Sequence, residues 1–446
     1  MKRTLTPIVL AIFVITARVP QAQSAADMPV LRGLAAASTL GDTDAGRAAL
    51  AANYTVTGGI QTGAIRQATL LPFPVQQQQA LQDAFSTIRN LTQLSDGLGT
   101  TLGAAYTARF HYTDAEHTSA MPETLGNLIH YATGISGPHS GLGKFLLANG
   151  TTEGKTPTSP DILKMLGGTT DVFGKAYNLP AGAAGGDKYG DARPFQTEKE
   201  FLHFTGTDYL NRPADNVVYN YGPMTRLLDS PSFPSGHTTY GFTGAVLLAV
   251  LVPERYGEMI VRGAEYGNDR ILMGSHYAMD VLAGRTLALY DMAHLLSNDK
   301  AYMNQTVAGT TSISDFQKAL KTARGALLPV LETGCGETVA RCAKEDIGRF
   351  NNAAANNAFY SSTQTYGLPA VHPERASHVE DVQKIAPEAG YLLTQAFPQL
   401  TLLQADAILT ETEGPGGGFL DDGSSFGVYS RLNLYAAARR AEQVAR

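Results

Sequence analysis

A histidine and an aspartate four residues apart offer the most specific chemistry in this sequence. His276 and Asp280 would share one face of a helix, and Ser275 has the residue type of its N-cap. An aspartate placed in this way accepts a hydrogen bond from one imidazole nitrogen, which leaves the lone pair of the other nitrogen free to attack an electrophile. The pair therefore predicts a nucleophilic histidine, although a surface ion pair has the same spacing.

A second histidine follows a serine and a glycine in PSFPSGHTTYG, residues 231–241. Ser235 and Gly236 precede a helical run that begins near His237. Backbone N–H groups at a helix start lack intrahelical acceptors and form a ready anion site, so we expect these two residues to bind an oxyanion. An ordinary serine N-cap is the alternative. A serine nucleophile is disfavoured because the pattern is not G-x-S-x-G and no strand precedes it.

Cationic side chains suited to an oxyanion lie before each histidine. Lys188 and Arg193 belong to DKYGDARPF, residues 187–195, and Arg270 precedes His276 by six positions. Ammonium and guanidinium groups donate hydrogen bonds and accept none, and the planar arginine fork matches phosphate oxygens. Any one of them alone would be read as an ordinary basic residue. Together with the histidines they predict an anion clamp.

The order of these three pieces resembles the signature of the PAP2 superfamily, which includes bacterial class A acid phosphatases, lipid phosphatases and vanadium haloperoxidases. That signature reads K-x6-RP, then PSGH, then SR-x5-H-x3-D. Its second part matches fully at residues 234–237, and its third part matches at Arg270, His276 and Asp280. Three ordered motifs are far more specific than any single one. The resemblance covers residues 187–285, under a quarter of the chain.

The sequence departs from this signature at two positions. Gly186 stands where the family has its lysine, and Lys188 lies only five residues before Arg193. Neighbouring glycines indicate an irregular backbone, through which we expect Lys188 to reach the site. Asp269 stands where the family has a serine, and it would either orient Arg270 or reduce the positive potential of the site.

The resemblance implies a metal-independent phosphatase acting on phosphate monoesters, with no cofactor. His276 would attack phosphorus to give a phosphohistidine, Asp280 would orient it, and His237 would protonate the leaving oxygen and then activate water. Because one histidine would start charged and the other neutral, a bell-shaped pH profile is expected. Cationic and backbone donors would take the place of a metal ion, and the expected phosphate-binding residues are Lys188, Arg193, Ser235, Gly236 and Arg270.

Two other functions are compatible with the motifs. Vanadate has the shape of phosphate, so a vanadium-dependent haloperoxidase would use the same pocket, with vanadate as a cofactor bonded to His276. The close spacing between His237 and Arg270 resembles compact phosphatases more. The departures at Lys188 and Asp269 also leave open a non-catalytic oxyanion-binding protein on this fold.

The composition and net charge restrict the classes of binding partner that we expect. The chain has 446 residues, 43% of them apolar and 17% charged, and its net charge is -6 without a long run of one sign. This balance gives no reason to expect nucleic-acid binding. The resemblance implies a small-molecule phosphate ester as partner, and a homo-oligomer is left open.

The N-terminus has the layout of a secretory signal peptide. Residues 1–26 combine a basic start, an apolar stretch and small residues near the end, so we predict a periplasmic or secreted protein. The next apolar run, residues 241–252, is too short to span a bilayer, so an integral membrane protein is not expected. An oxidising compartment also favours a disulfide between Cys335 and Cys342.

Helical apolar spacing predominates, so the predicted fold class is mainly α. The resemblance implies a helical bundle of the PAP2 acid phosphatase and vanadium haloperoxidase type. A catalytic core at residues 109–297 is expected between helical extensions at 27–108 and 298–446. The best strand candidate is YTVTG, which begins at Tyr54. Helices are predicted near residues 76–96, 123–131, 238–251, 275–296 and 314–331.

Overall fold

Helices make up most of the structure, and the predicted mainly α fold class is confirmed. The structure is a computed structural model that describes residues 27–67, 70–84, 90–114, 117–198, 200–217, 227, 230–345 and 348–444. The predicted signal peptide at residues 1–26 lies outside these residues.

The α-helices are numbered here in chain order. They are α1 (Asp27–Leu34), α2 (Asp44–Thr62), α3 (Phe73–Asp83), α4 (Thr100–Arg109), α5 (Glu123–Asn149), α6 (Pro160–Met165), α7 (Val172–Ala176), α8 (Pro194–Thr197), α9 (Gly236–Leu251), α10 (Tyr256–Leu272), α11 (Ala278–Leu296), α12 (Phe316–Cys335), α13 (Val339–Glu345), α14 (Ala353–Thr365), α15 (Val382–Ile385), α16 (Tyr391–Thr394), α17 (Leu402–Glu411) and α18 (Leu434–Val444). Two short strands, β1 (Thr205–Thr207) and β2 (Pro213–Asp215), pair antiparallel.

Helix α9 lies at the centre of the core. Every residue of it except Gly236 is buried, and it packs against α5, α10 and α11. The side chain of Ser235 caps its start by accepting the N–H of Thr238 at 3.1 Å. The helix ends at Leu251, just before Pro253, because a proline disfavours helix in the preceding residue.

The N- and C-terminal regions share one hydrophobic cluster with the centre of the chain. This cluster contains buried side chains from Val30 in α1 to Ala441 in α18. Every residue of α10 except Glu258 is buried, and α3, α14 and α18 pack against this helix. The division into a core and two extensions stays a prediction.

Three details differ from the predicted elements. YTVTG, residues 54–58, lies within α2 and not in a strand, because Asn53, Thr57 and Ile60 form a buried helical face. The helix predicted at 76–96 ends at Asp83, and a 3-10 helix follows at Thr92–Leu98. The helix predicted from Ser275 begins at Ala278.

The predicted disulfide between Cys335 and Cys342 is present and joins the end of α12 to α13. None of the described helices has both the length and the apolar character needed to cross a membrane.

Candidate active site

The turn before α11 positions His276. Gly274 has a φ of 70°, and the N–H groups of Ser275 and His276 both donate to the carbonyl oxygen of Arg270, at 3.0 and 3.3 Å. The sequence suggested Ser275 as the N-cap of α11, but the N-cap is Tyr277. The N–H of Tyr277 donates to Asp280 Oδ2 at 2.9 Å. His276 thus precedes the helix, while Asp280 lies in its first turn.

The two ring nitrogens of His276 have different partners. Nδ1 lies 3.2 Å from Asp280 Oδ2 and 3.4 Å from the hydroxyl of Ser232. Nε2 lies 3.1 Å from Nη1 of Arg193. Because a guanidinium only donates, these partners assign the proton to Nδ1 and the lone pair to Nε2. This is the tautomer that a nucleophilic Nε2 requires.

Arg193 is held by the backbone carbonyls around the site. Its Nε donates to Ser230 O at 2.8 Å, Nη1 to Ser275 O at 2.8 Å and Nη2 to Pro231 O at 3.0 Å. The side chain is buried, and its backbone precedes α8 as the N-cap. These bonds fix the guanidinium against His276.

Arg270 is also buried but is weakly held. Its Nε is 3.3 Å from Tyr266 O, its Nη2 is 3.5 Å from Ala80 O, and its Nη1 has no hydrogen-bond partner among the described residues. The guanidinium lies over the ring of Tyr266, 4.9 Å from its centroid. It forms no ion pair with any described carboxylate. A buried cation of this kind favours an anionic ligand.

Ser235 and Gly236 at the start of α9, both expected to bind an oxyanion, differ in the groups they have available. The N–H of Ser235 donates to Asp280 O at 3.0 Å, so this donor already has an acceptor within the protein. The Ser235 hydroxyl is occupied in capping, where it accepts from both the N–H and the hydroxyl of Thr238. Gly236 is the first residue of α9, and its N–H is one of those that a helix start leaves without an intrahelical acceptor.

His237 faces His276 across the site, with ring centroids 6.2 Å apart. Burial, followed by the charges of Arg270 and Arg193, lowers the pKa of His237 well below its usual value. Burial, followed by Arg193 and Lys144, has the same effect on the pKa of His276. Burial raises the pKa of Asp280 to about 6, although hydrogen bonds from Ser232 and Tyr277 act in the opposite direction.

The structure places Lys188 on the surface. It is exposed, and its ammonium lies over the ring of Tyr189, 4.7 Å from the centroid. The lysine brought among the buried site residues is Lys144 of α5, whose charge lowers the pKa of both His237 and His276. Sequence reasoning missed Lys144 because it stands 49 positions before Arg193, outside every motif. Its only sequence signal is the four-residue spacing from Ser140 on α5.

Asp269 belongs to a separate buried charge cluster. Burial and then the neighbouring carboxylate of Asp83 raise the pKa of Asp269 well above its usual value. Asp83 itself accepts two hydrogen bonds of 2.7 Å from Arg262. Among the described residues, no hydrogen bond or ion pair joins Asp269 to Arg270, so the influence of Asp269 on Arg270 stays a prediction. Within the described ranges, no group of three or more His, Cys, Asp or Glu side chains could hold a metal ion.

Known proteins resemble this part of the chain. Residues 181–297 match the model of the PAP2 superfamily. A non-specific acid phosphatase of Salmonella typhimurium is 44% identical over 92 residues, 20% of this chain and 37% of that protein. A non-specific acid phosphatase of Providencia stuartii is 31% identical over 140 residues, 31% of this chain and 48% of that protein. An acid phosphatase of Zymomonas mobilis is 42% identical over 64 residues, 14% of this chain and 24% of that protein.

This chain therefore spans under half the length of these relatives. The matched segment contains Arg193, His237, Arg270, His276 and Asp280. The resemblance to the PAP2 superfamily that the motifs predicted is confirmed for residues 181–297.

Proposed function

We propose that this protein is an exported, metal-independent phosphatase that hydrolyses phosphate monoesters through a phosphohistidine at His276. The observation that carries the proposal is the asymmetric bonding of His276, with Asp280 at Nδ1 and the Arg193 guanidinium at Nε2. The acid phosphatase names of the relatives support the same chemistry. A phosphoryl group beside Nε2 would be bound by Arg193 and Arg270.

In the first step, Nε2 of His276 attacks phosphorus and the P–O bond to the leaving alcohol breaks. His237 gives its proton to the leaving oxygen, and Asp280 stabilises the positive charge that develops on the phosphorylated imidazole. In the second step, His237 takes a proton from water, which attacks phosphorus and breaks the P–N bond. Inorganic phosphate leaves and His276 recovers its lone pair.

The charge state of His237 depends on the ligand. Burial and nearby cations lower its pKa in the free protein, so at neutral pH its imidazole is uncharged. A bound phosphate dianion offsets those cations and raises the pKa of His237 again. The substrate therefore creates the proton donor that its own cleavage needs.

Hydrolysis of p-nitrophenyl phosphate in the presence of a chelator tests the proposal. We expect the wild type to turn over under these conditions and His276→Ala to lose activity by about 10⁴-fold or more, because it lacks the nucleophile. His117→Ala is the matched control, since His117 is exposed and pairs with Asp114 at the surface. Activity that survives both the chelator and His276→Ala would contradict this mechanism.

The intermediate is tested by labelling with ³²P-phosphoester and quenching in alkaline denaturant, because a P–N bond is labile in acid. Label should appear on the wild type and be absent from His276→Ala. Tight phosphate binding without label would indicate an oxyanion-binding protein instead. Vanadate- and peroxide-dependent bromination without ester hydrolysis would identify a haloperoxidase.

A further inference from the structure

Two side chains of α5 lie at the start of α9, although neither belongs to a motif. Ser140 and Lys144 are four residues apart and share one face of α5. A Cβ atom built on Gly236 would lie 3.4 Å from Ser140 Oγ and 3.8 Å from Lys144 Cε. Both side chains therefore reach the point where the unsatisfied N–H groups of α9 begin.

The hydroxyl of Ser140 is buried and donates to no acceptor in the part of the chain that the structure describes. The residue is 1% exposed, and its Oγ has no hydrogen-bond partner among the described residues. Buried polar groups in native proteins are nearly always paired, and an unpaired one is destabilising. An unpaired hydroxyl beside a helix start is a ready donor to an anion.

Lys144 is buried and has two carbonyl partners, and burial followed by the charge of Arg193 lowers the pKa of its ammonium well below the usual value. A bound dianion would raise that pKa again. The Nζ of Lys144 donates to Pro231 O at 2.8 Å and to Ser232 O at 2.9 Å, which leaves one of its three N–H groups for another acceptor. No carboxylate in the described part of the chain forms an ion pair with it. Pro231 O also accepts Nη2 of Arg193 at 3.0 Å, so the two cations share one acceptor. The carbonyl of Pro231 therefore connects Lys144 to Arg193, which contacts His276.

We propose that Lys144 and Ser140 bind the phosphoryl oxygens of the substrate from α5. This inference rests on the proposed function, and it adds two residues to Arg193 and Arg270, which would bind the phosphoryl group. A phosphoryl dianion would accept the third N–H of Lys144 and the hydroxyl of Ser140, and it would offset the charges of Lys144 and Arg270. The family signature places a lysine at the position of Gly186, and here Lys144 of α5 would supply that positive charge.

Ser140→Ala separates ligand binding from folding. We expect its affinity for inorganic phosphate, measured by calorimetry, to fall about 10-fold, because a hydrogen bond to a charged group is lost. Its melting temperature without ligand should be unchanged or higher, because an unpaired buried hydroxyl is removed.

Ser136→Ala is the matched control. Ser136 lies one turn earlier on α5 and is equally buried, but its hydroxyl bonds Thr243 Oγ1 at 2.9 Å. We expect the opposite result: a lower melting temperature and unchanged phosphate affinity.

Lys144→Met removes the charge and keeps the length of the side chain. We expect phosphate affinity to fall about 100-fold, against no change for Lys164→Met, which alters an exposed lysine on α6. Because Lys144→Met also frees two carbonyl groups and can fail to fold, Ser140→Ala carries the decisive comparison.

The outcomes distinguish the two proposals. If the wild type hydrolyses p-nitrophenyl phosphate and Ser140→Ala binds phosphate as tightly as the wild type, this inference is overturned and the proposed function stands. If phosphate binding depends on Ser140 but the wild type hydrolyses no ester, Ser140 belongs to an oxyanion-binding site and the proposed function falls.

Discussion

At the scale of single residues, Asp280 fixes which nitrogen of His276 carries the proton. Its Oδ2 is shared by the His276 ring, the N–H of Tyr277 and the hydroxyl of Ser232. These three groups fix the carboxylate, and the carboxylate fixes the Nδ1–H tautomer. The lone pair of Nε2 then lies on the side of Arg193.

Asp280→Asn should lower kcat for p-nitrophenyl phosphate by about 10³- to 10⁴-fold, because an amide nitrogen beside Nδ1 favours the wrong tautomer. Affinity for inorganic phosphate, measured by calorimetry, should change little, since Asp280 is not among the proposed phosphate-binding groups. An unchanged kcat would show that Asp280 does not orient the nucleophile.

The lowered pKa of His237 predicts that the protein takes up protons when it binds an anion. Burial and the charges of Arg270, Arg193 and Lys144 keep the ring neutral in the free protein, and a bound dianion reverses the effect of these charges. Affinity should therefore be highest at acidic pH and fall as pH rises through the pKa of His237 in the complex.

Calorimetric titration with sulfate at pH 7, in buffers of different ionisation enthalpy, measures this uptake. Sulfate does not itself titrate in this range. We expect net proton uptake by the wild type and a smaller uptake by His237→Gln. Equal uptake by the two proteins would assign the proton to another group.

At the scale of the elements, His139 joins three helices. It lies on α5 and forms ion pairs with Asp291 of α11 at 2.9 Å and Asp27 of α1 at 3.2 Å. Burial alone would lower the pKa of His139, but the two carboxylates raise it to about 10. This contact helps to fix α5, and with it Ser140 and Lys144, against the start of α9.

His139→Leu should lower the free energy of unfolding at pH 6 by about 3–5 kcal/mol, because it leaves two carboxylates without their cation. His117→Leu breaks only the exposed pair with Asp114 and should cost about 0–1 kcal/mol. Urea unfolding followed by circular dichroism gives both values.

The stabilisation by the ion pairs of His139 depends on pH with a defined sign. Since the pKa of His139 is raised from 6.5 to about 10, its charge stabilises the fold fully below pH 6.5, and that contribution is lost as pH rises to 10. The difference between the wild type and His139→Leu should therefore shrink over this range. A constant difference would show that the ion pairs contribute nothing.

At the scale of the whole molecule, the terminal regions complete the core that holds the site. Helix α10, which ends just before the turn of His276, has no exposed residue and is covered in part by α14 and α18. The 3-10 helix Gly427–Ser430 packs against α11, which carries Asp280. Removing the C-terminal region would expose these apolar surfaces to water.

A protein truncated after residue 297 should therefore lack a cooperative thermal transition and ester hydrolysis, whereas the full chain should show both. Differential scanning calorimetry and the p-nitrophenyl phosphate assay are the measurements. A truncated protein that unfolds cooperatively and remains active would instead support the predicted division between the catalytic core and the C-terminal extension at residue 297.

Much of the local structure could be predicted from the sequence. The helical spacing identified α9, α11 and α12, and the compartment argument identified the disulfide. The strand expected at Tyr54 was wrong because Thr57 lies with Asn53 and Ile60 on a buried helical face of α2, and this packing overrides the β propensity of the segment. The start of α11 was misplaced because Gly274 turns the chain, and a positive φ at a glycine leaves no clear mark in the sequence.

The sequence by itself determined the resemblance to the PAP2 superfamily, because the motifs that contain His237, Arg270, His276 and Asp280 are recognisable without coordinates. The oxyanion chemistry that these residue types and spacings predict stays a proposal. Only the tertiary structure decided which lysine stands beside these residues. Lys188 is near Arg193 in sequence yet is exposed, whereas Lys144 is brought to α9 by the packing of α5. Contacts between residues about 90 positions apart depend on how helix faces pack, and no local pattern encodes that packing.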